Sequence, residues 1–328
     1  MAAEYIPELP PPAILIQTGC VRRESALNMV NPRIPFRLAT KRGALQPLDG
    51  KPLIVQIVIP IEIFSYDQPI PRKILANPHG VSPVPDIVNY CWVEYGMRCG
   101  LPRLARILED RKIPAVACIN SDVIDAYPDV AELCLRAGWE FQGHGKFQKS
   151  MSEDEEEEVI NLSLERIKAF TGRRVRGWIG PGLKESERTP ELLRRAGVDY
   201  ISDWGIIDDL PVWMTTREGP VVVVPYTAEL NDTYIYHVGM HSPNEQFNRM
   251  YDMVAGLEPE LKTSPRVLTM SYHHYLMGQP HRAFHVGRML DYLLGRADTK
   301  FMSGEQICDW FVETETAKAE KKALEAAP

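Results

Sequence analysis

Three places in the chain carry side chains able to move protons or hold a cation. The first is Glu140-Phe-Gln-Gly-His144-Gly-Lys-Phe-Gln148, where an imidazole is followed four residues later by a carboxamide. Imidazole serves both as a metal ligand and as a proton carrier near neutral pH. A carboxamide is a poor ligand for zinc, which prefers imidazole, thiolate or carboxylate. The second place is Ser271-Tyr-His273-His274-Tyr-Leu-Met-Gly278-Gln-Pro280-His-Arg282, directly after the apolar run Arg266-Val-Leu-Thr-Met. The third is Glu62, which ends the β-branched run Val55-Gln-Ile-Val-Ile-Pro-Ile and is followed by Ile63. Each has a plain alternative: a lone histidine is ordinarily a satisfied structural residue, and a strand-end acid is ordinarily a surface carboxylate.

The first stretch resembles the E-I-x-x-H-[GST]-x-x-H strand of the polysaccharide deacetylase superfamily, the NodB-homology fold. In that family the two histidines hold a divalent metal. The resemblance runs from about residue 50 to residue 312. Glu62 stands at the family's general-base position, while Ile63 replaces the acid that binds metal and Gln148 replaces the second histidine. Of the usual aspartate-histidine-histidine set only His144 remains. The Ser271–Arg282 segment resembles the S-L-H-P-x-x-x-G-x-P-x-R segment of a cytosolic branch containing allantoinases and cyclic-imide hydrolases, which makes His273 the family's late histidine.

Tyr90-Cys-Trp-Val-Glu94-Tyr95-Gly96-Met-Arg98-Cys-Gly100 is similar to the signature Y-E-Y-G-x-R-x-G of the same branch. Glu94 and Arg98 are four apart, so a plain helical ion pair explains them as well as a substrate contact does. Gly96 beside an aromatic residue and an acid suggests a place where the backbone approaches something closely. Arg176-Gly-Trp178-Ile-Gly-Pro181-Gly182 occupies the place of the family's R-x-P-x-G groove wall. Asp199-Tyr-Ile-Ser-Asp203-Trp204 resembles its D-x-x-x-S-D segment. Trp204 could pack on a planar substrate or lie in the core.

The resemblance implies hydrolysis of a carbon-nitrogen amide bond other than a peptide bond, with opening of a small cyclic amide, ureide or imide as the favoured reading. Glu62 would activate water, His273 would protonate the departing nitrogen, and His144 would position water or polarise the carbonyl. Arg98 or backbone N–H groups would hold the oxyanion. Glu94, Tyr95, Arg98, Trp178, Pro181, Asp203, Trp204 and His274 are the expected substrate-binding residues. With two ligands of three replaced, no tightly bound metal is expected, a rebuilt zinc-type site being the alternative. A polysaccharide N-deacetylase with an altered metal site, or a catalytically dead sugar- or metabolite-binding barrel, are the competing readings.

The elements that must position these residues alternate strand and helix, as a distorted (β/α) barrel of the NodB-homology type requires. Leu101–Arg111, Asp129–Gly138 and Thr189–Gly197 have apolar residues at helical spacing, and the last two stop at glycine. Ser152 and Glu155 form a possible capping box for a helix through Phe170, with the run Asp154–Glu158 expected as a solvated face. Glu62, His144, Trp178, Asp203 and His273 all fall near predicted strand C-termini, the rim where such a barrel places its chemistry.

At 328 residues, with 45% hydrophobic and 25% charged, the chain can bury a large core. The net charge of -7 argues against nucleic acid or an anionic membrane as partner, and favours a small-molecule substrate. Six scattered cysteines show no C-x-x-C spacing, and a nucleophilic Cys99 is disfavoured. No secretory signal or membrane span is read, so a cytoplasmic location is expected. Residues 51–312 form the expected barrel. Residues 1–50 are expected to wrap it or a neighbouring subunit of a homo-oligomer, Ser65–Pro85 to form a rim loop bringing His79 near, and 313–328 to form a flexible tail.

Overall fold

The computed structural model describes residues 30–76, 80 and 83–326. Its centre is a curled sheet of β1 (Leu53–Ile61), β2 (Val116–Ile119), β3 (Glu140–Gly143), β4 (Gly177–Trp178), β5 (Tyr200–Ile201), β6 (Val212–Met214), β7 (Val221–Val223), β8 (Arg266–Ser271) and β9 (Thr299–Phe301). The order is β6-β7-β5-β4-β3-β2-β1-β8, with β9 also paired to β1. β8 lies along one edge of β1, and the opposite edge is shared by β9 at its start and β2 at its end. The β6–β7 pair is antiparallel. Between β7 and β8 the circle is drawn together by an Asn231–Ser271 bridge and by Thr269 Oγ1 donating to Pro225 O at 2.7 Å. The distorted (β/α) barrel expected from the sequence is therefore a half-barrel of mostly parallel strands.

Side-chain alternation along β1 decides which way the rim residues face. Leu53, Val55, Ile57, Ile59 and Ile61 join the core that also holds the apolar faces of the helices, whereas Ile54 and Val58 belong to other clusters on the opposite face. Continuing that period of two, Glu62 falls on the side of Ile54 and Val58. Ile63 packs against the outer core. The parallel strands bring the C-terminal ends of β1, β3 and β8 to one rim.

The helix Leu101–Glu109 has Pro102 in its first turn and buries Leu101, Leu104, Ala105 and Leu108, one stripe at helical spacing. The helix Glu156–Thr171 ends on Gly172, whose φ of 70° suits glycine. The acidic run before it is not wholly the solvated face expected: Glu156 is buried and accepts from Ser186 Oγ at 2.7 Å and from Thr189 Oγ1. Two hydroxyls satisfy a carboxylate that composition alone would leave in water. The expected Ser152–Glu155 capping box is also only half formed, with Glu155 Oε1 accepting from Ser152 N at 3.2 Å outside the helix.

The described part of the N-terminal extension lies against the barrel. Arg33 pairs with Glu191 at 2.7 Å, Thr215 N donates to Arg33 O at 2.9 Å, and Leu45 is buried. Residues 313–328 were expected to be a flexible tail, but Glu315–Glu325 is a docked helix. Its alanine face lets it approach Trp213, whose Nε1 donates to Ala317 O at 2.9 Å, and Arg42 Nε donates to Glu320 Oε1 at 2.9 Å. Small side chains supplied contact where no bulky apolar stripe existed. Residues 1–29, His79 and Cys20 lie outside the described residues. Among those described, no helix is long and apolar enough to cross a membrane.

Glu140 opens β3 at the end of the barrel away from the rim, accepting from Tyr200 Oη and, at 2.8 Å, from Glu305 N. Burial pushes its carboxyl up to about 7. The folded chain thus keeps a proton that the unfolded chain releases at about pH 4.3. The stabilisation is complete below that value and is lost as pH rises through about 7. Glu140→Gln, neutral at every pH, is expected to gain melting temperature relative to the parent on going from about pH 5 to about pH 8. A difference in melting temperature that is the same at both pH values would contradict the assignment.

Candidate active site

Glu62 is almost fully buried just beyond β1, and other side chains meet both of its oxygens. Oε2 accepts from Tyr275 Oη at 2.7 Å and from Arg72 Nη1 at 3.1 Å, while Oε1 accepts from Gln148 Nε2 at 2.8 Å. His273 Nε2 stands 3.4 Å from Oε1 and His144 Nε2 3.9 Å from it. Burial pushes this carboxyl up, but the Arg72 guanidinium and His273 more than offset that and hold it well below the usual carboxylate range.

His273 follows β8 and is gripped from behind by Asp232. The Asp232 carboxylate accepts from the backbone N of His273 through Oδ2 and lies against Nδ1 through Oδ1, both at 2.6 Å. Burial pushes the imidazole down, yet the Asp232 and Glu62 carboxylates on either side raise it above its ordinary value of 6.5. Nδ1 of His273 thus faces Asp232 and Nε2 faces Glu62, and both carboxylates favour the protonated ring.

His144 sits one residue beyond β3 on a turn that Gly145 makes with a φ of 69°. Its Nδ1 is 2.6 Å from Ile179 O, an atom that can only accept, so Nδ1 carries the hydrogen. In the neutral ring Nε2 is left with a bare lone pair. Nε2 is buried and has no hydrogen-bond partner among the described residues. Asn120 fastens this turn to β1, donating to His144 O and accepting from Ile63 N at 3.0 Å.

The three residues expected to act are thus brought together, but most of the expected substrate contacts are not. Arg98, foreseen at the oxyanion, has a side chain 72% exposed and donates to Glu94 Oε1 at 2.6 Å. The helical ion pair is what four-residue spacing achieves here, and the cation that reaches Glu62 is Arg72 instead. Glu94 also accepts from Tyr127 Oη at 3.0 Å and borders a crevice of about 10 Å³ near Glu62, room for a single water at most. Tyr95 is half-buried beside Arg103. The close approach foreseen at Gly96 is to the protein itself, since a Cβ there would strike His274 Nδ1 and the backbone of Tyr275.

His274 is a core residue. Both its ring nitrogens are buried without partners, and burial pushes it down to about 3, so it is neutral. Trp178 is fully buried against Gly143, where a Cβ would lie 2.6 Å from Trp178 Cε3. Asp203 braces the β4 loop by accepting from Gly180 N at 2.7 Å, and Trp204 Nε1 donates to Glu185 Oε2 at 2.6 Å. Burial and the Glu185 carboxylate push Asp203 up. Pro181 alone of the expected binders lines the cavity of about 530 Å³ that adjoins the site through Arg72 and Gln148, the two partners of Glu62 in its lining.

Sequence reasoning missed Asp232, Arg72, Tyr275 and Asn120. Asp232 is 41 residues before His273, and Arg72 is 203 residues before Tyr275. No local spacing could announce either pair.

A family model for polysaccharide deacetylase matches residues 83–201, which include His144 but neither Glu62 nor His273. A probable polysaccharide deacetylase from Pseudomonas aeruginosa PAO1 superposes with a TM-score of 0.73 at 23% identity, covering 82% of this chain and 93% of that one. Residues 83–201 thus match the polysaccharide deacetylase family, and the barrel as a whole shares its fold with that protein. PuuE allantoinase superposes equally well, with a TM-score of 0.73 at 22% identity over 81% of this chain and 92% of that one. The peptidoglycan deacetylase of Helicobacter pylori is 30% identical over 104 residues, 31% of this chain, and the match spans 36% of that protein's length.

The superfamily's divalent ion does not fit the residues present. Ile63 is turned into the apolar core, and Gln148 spends its amide on Glu62 while Asn120 Nδ2 stands 3.4 Å from its Oε1. The Arg72 guanidinium already stands on the carboxylate. Among the described residues no group of three His, Cys, Asp or Glu is arranged to hold a metal.

The electrostatics of His273 give a direct test. In the parent its imidazole should titrate above pH 6.5. Asp232→Asn removes one of the two flanking carboxylates and should lower that midpoint by about one unit or more, read from imidazole NMR signals. An unchanged midpoint would show that Asp232 does not hold the proton.

Proposed function

We propose that this protein hydrolyses a carbon-nitrogen amide bond other than a peptide bond, opening the ring of a small cyclic amide, ureide or imide without a resident metal ion. The observation that carries this reading is the Asp232–His273–Glu62 chain, in which a buried imidazole stands 2.6 Å from the Asp232 carboxylate and 3.4 Å from that of Glu62. The bare Nε2 of His144 faces the same carboxylate and supplies an acceptor for water.

The chemistry follows from these positions. A water held by His144 Nε2 adds to the carbonyl carbon as Glu62 takes its proton. Arg72, whose bonds to Glu62 and Tyr275 both run through Nη1, takes over the oxyanion role foreseen for Arg98 through its remaining N–H groups. The carbon-nitrogen bond then breaks as His273 Nε2 gives its proton to the leaving nitrogen. Glu62 returns the proton it took to His273 across the short gap between them, and the newly formed acid ionises in solvent. A strained or activated ring lowers the demand on the Lewis acid that a divalent ion provides in other members. The shared fold with PuuE allantoinase is compatible with the ring-opening reading, as the fold shared with polysaccharide deacetylases is with removal of acetyl groups.

Turnover is expected on at least one compound from a panel of hydantoins, cyclic imides, dihydropyrimidines and allantoin, followed by proton release, and on none of a set of N-acetylglucosamine oligomers. It should survive dialysis against a chelator. Acetate release from the oligomers, or recovery of a stoichiometric zinc ion with chelator-sensitive activity, would reverse the ranking. Silence on both sets would favour a binding barrel.

Glu62→Gln and His273→Ala should each lower kcat about 10²- to 10⁴-fold, the range for a lost acid-base group, with folding checked by circular dichroism. Cys99→Ser, at an exposed thiol, should not. Because His273 must be protonated and is raised above 6.5, the rate should fall on the alkaline side, with a midpoint above that value. Full activity of Glu62→Gln on the true substrate would remove Glu62 from its role.

A further inference from the structure

The cavity adjoining the reaction centre has a charge pattern unlike that of the whole molecule. The chain carries a net charge of -7, yet among the described residues the cavity of about 530 Å³ has Arg72, Lys149 and Lys184 in its lining and neither Asp nor Glu. Arg72 is committed to Glu62 and Tyr275. Lys149 and Lys184 are exposed, and neither ammonium makes an ion pair among the described residues. Most of the arginines in the described structure behave differently, pairing with a carboxylate on their own surface, as Arg174 and Arg176 do with Asp199.

The two lysines stand on the frame that carries the chemistry. Lys149 follows Gln148, whose backbone N donates to Ile63 O at 2.9 Å and whose side chain donates to Glu62. Lys184 follows the turn Pro181–Leu183 after β4. Phe64, Phe147 and Pro181 supply apolar wall in the same cavity. A flat ring fits such walls, and two unneutralised ammonium groups at the mouth suit a negative group attached to it.

We propose that the substrate carries an anionic arm, a carboxylate or a phosphate-like group, that Lys149 and Lys184 hold at the mouth while the amide reaches Glu62 and His273. This rests on the reading of the adjoining Glu62–His273 site as the reaction centre for its substrate class, but the charge preference can be measured without turnover. A focused positive mouth on a negative protein also steers such a substrate inward and turns anionic macromolecules away at the rest of the surface.

The test compares binding of hydantoin-5-acetic acid, its phosphonate counterpart and the neutral hydantoin-5-acetamide to the full chain, by calorimetry at low and at high salt. The acid or the phosphonate should bind roughly tenfold or more tightly than the amide, with the preference shrinking in salt, and the better of the two identifies the arm. In Lys149→Gln/Lys184→Gln the ratio should fall to about one, and Lys149→Arg/Lys184→Arg should restore most of it. Where turnover is seen, the double glutamine variant should lose in KM rather than in kcat. Binding without turnover upholds the charge preference and sinks the catalytic reading. Equal binding of charged and neutral compounds, no binding of either anion at millimolar concentration, or a preference that survives in the glutamine variant would overturn the proposal.

Discussion

A carboxylate held out of water organises this molecule. Removing an ion from solvent costs several kcal/mol even after the protein relaxes, and the cost is recovered only if the lone pairs are met. Glu62 meets it with donors from separate parts of the chain: Arg72 from the loop after β1, Gln148 from the turn after β3, and Tyr275 with His273 from the loop after β8. These contacts tie one rim of the half-barrel together. Asp232 completes the arrangement from behind His273, so that two carboxylates face a guanidinium and an imidazole.

That array explains why position 148 can be a carboxamide. A glutamine can donate and accept at once, and here its Nε2 serves Glu62 while its Oε1 lies 3.4 Å from Asn120 Nδ2. Ile63 has the opposite fate for a related reason. The residue after Glu62 falls on the outer side of the alternation, where an apolar side chain joins the core. The positive charge in contact with Glu62 is the Arg72 guanidinium, with His273 Nε2 3.4 Å away.

The rim also depends on close approach of backbone. Gly100 and Gly278 meet face to face around His274 O, where a Cβ on either would collide with that carbonyl, and Gly96 lies against the backbone of Tyr275. Three glycines therefore press the helical segment before Leu101 onto the loop that carries His273 and Tyr275. Two of the three, Gly96 and Gly100, come from the branch-like signature around Glu94. Any side chain at these glycines would displace the two residues that fix the orientation of the Glu62 carboxylate.

Much of this was legible in order along the chain. β-branched runs, glycine stops and helical stripes are local properties, and they marked the strands ending at Glu62, His144 and His273 before any coordinates. Family-like spacing likewise identified Ile63 and Gln148 as replacements for metal ligands. The partners were not legible, because a hydrogen bond between residues 41 or 203 positions apart leaves no periodic trace in sequence. Asp232 looks like any loop acid, and Arg72 like any arginine in a proline-rich insertion. Arg98 was misleading for the same reason, since its four-residue spacing from Glu94 fitted a surface pair as well as a site. The sequence by itself determined the architecture and which three side chains reach the rim, because strand period and parallel order are set by neighbours in the chain. Only the tertiary structure decided which charges surround them, because burial and long-range contact set whether a buried acid or imidazole keeps its proton.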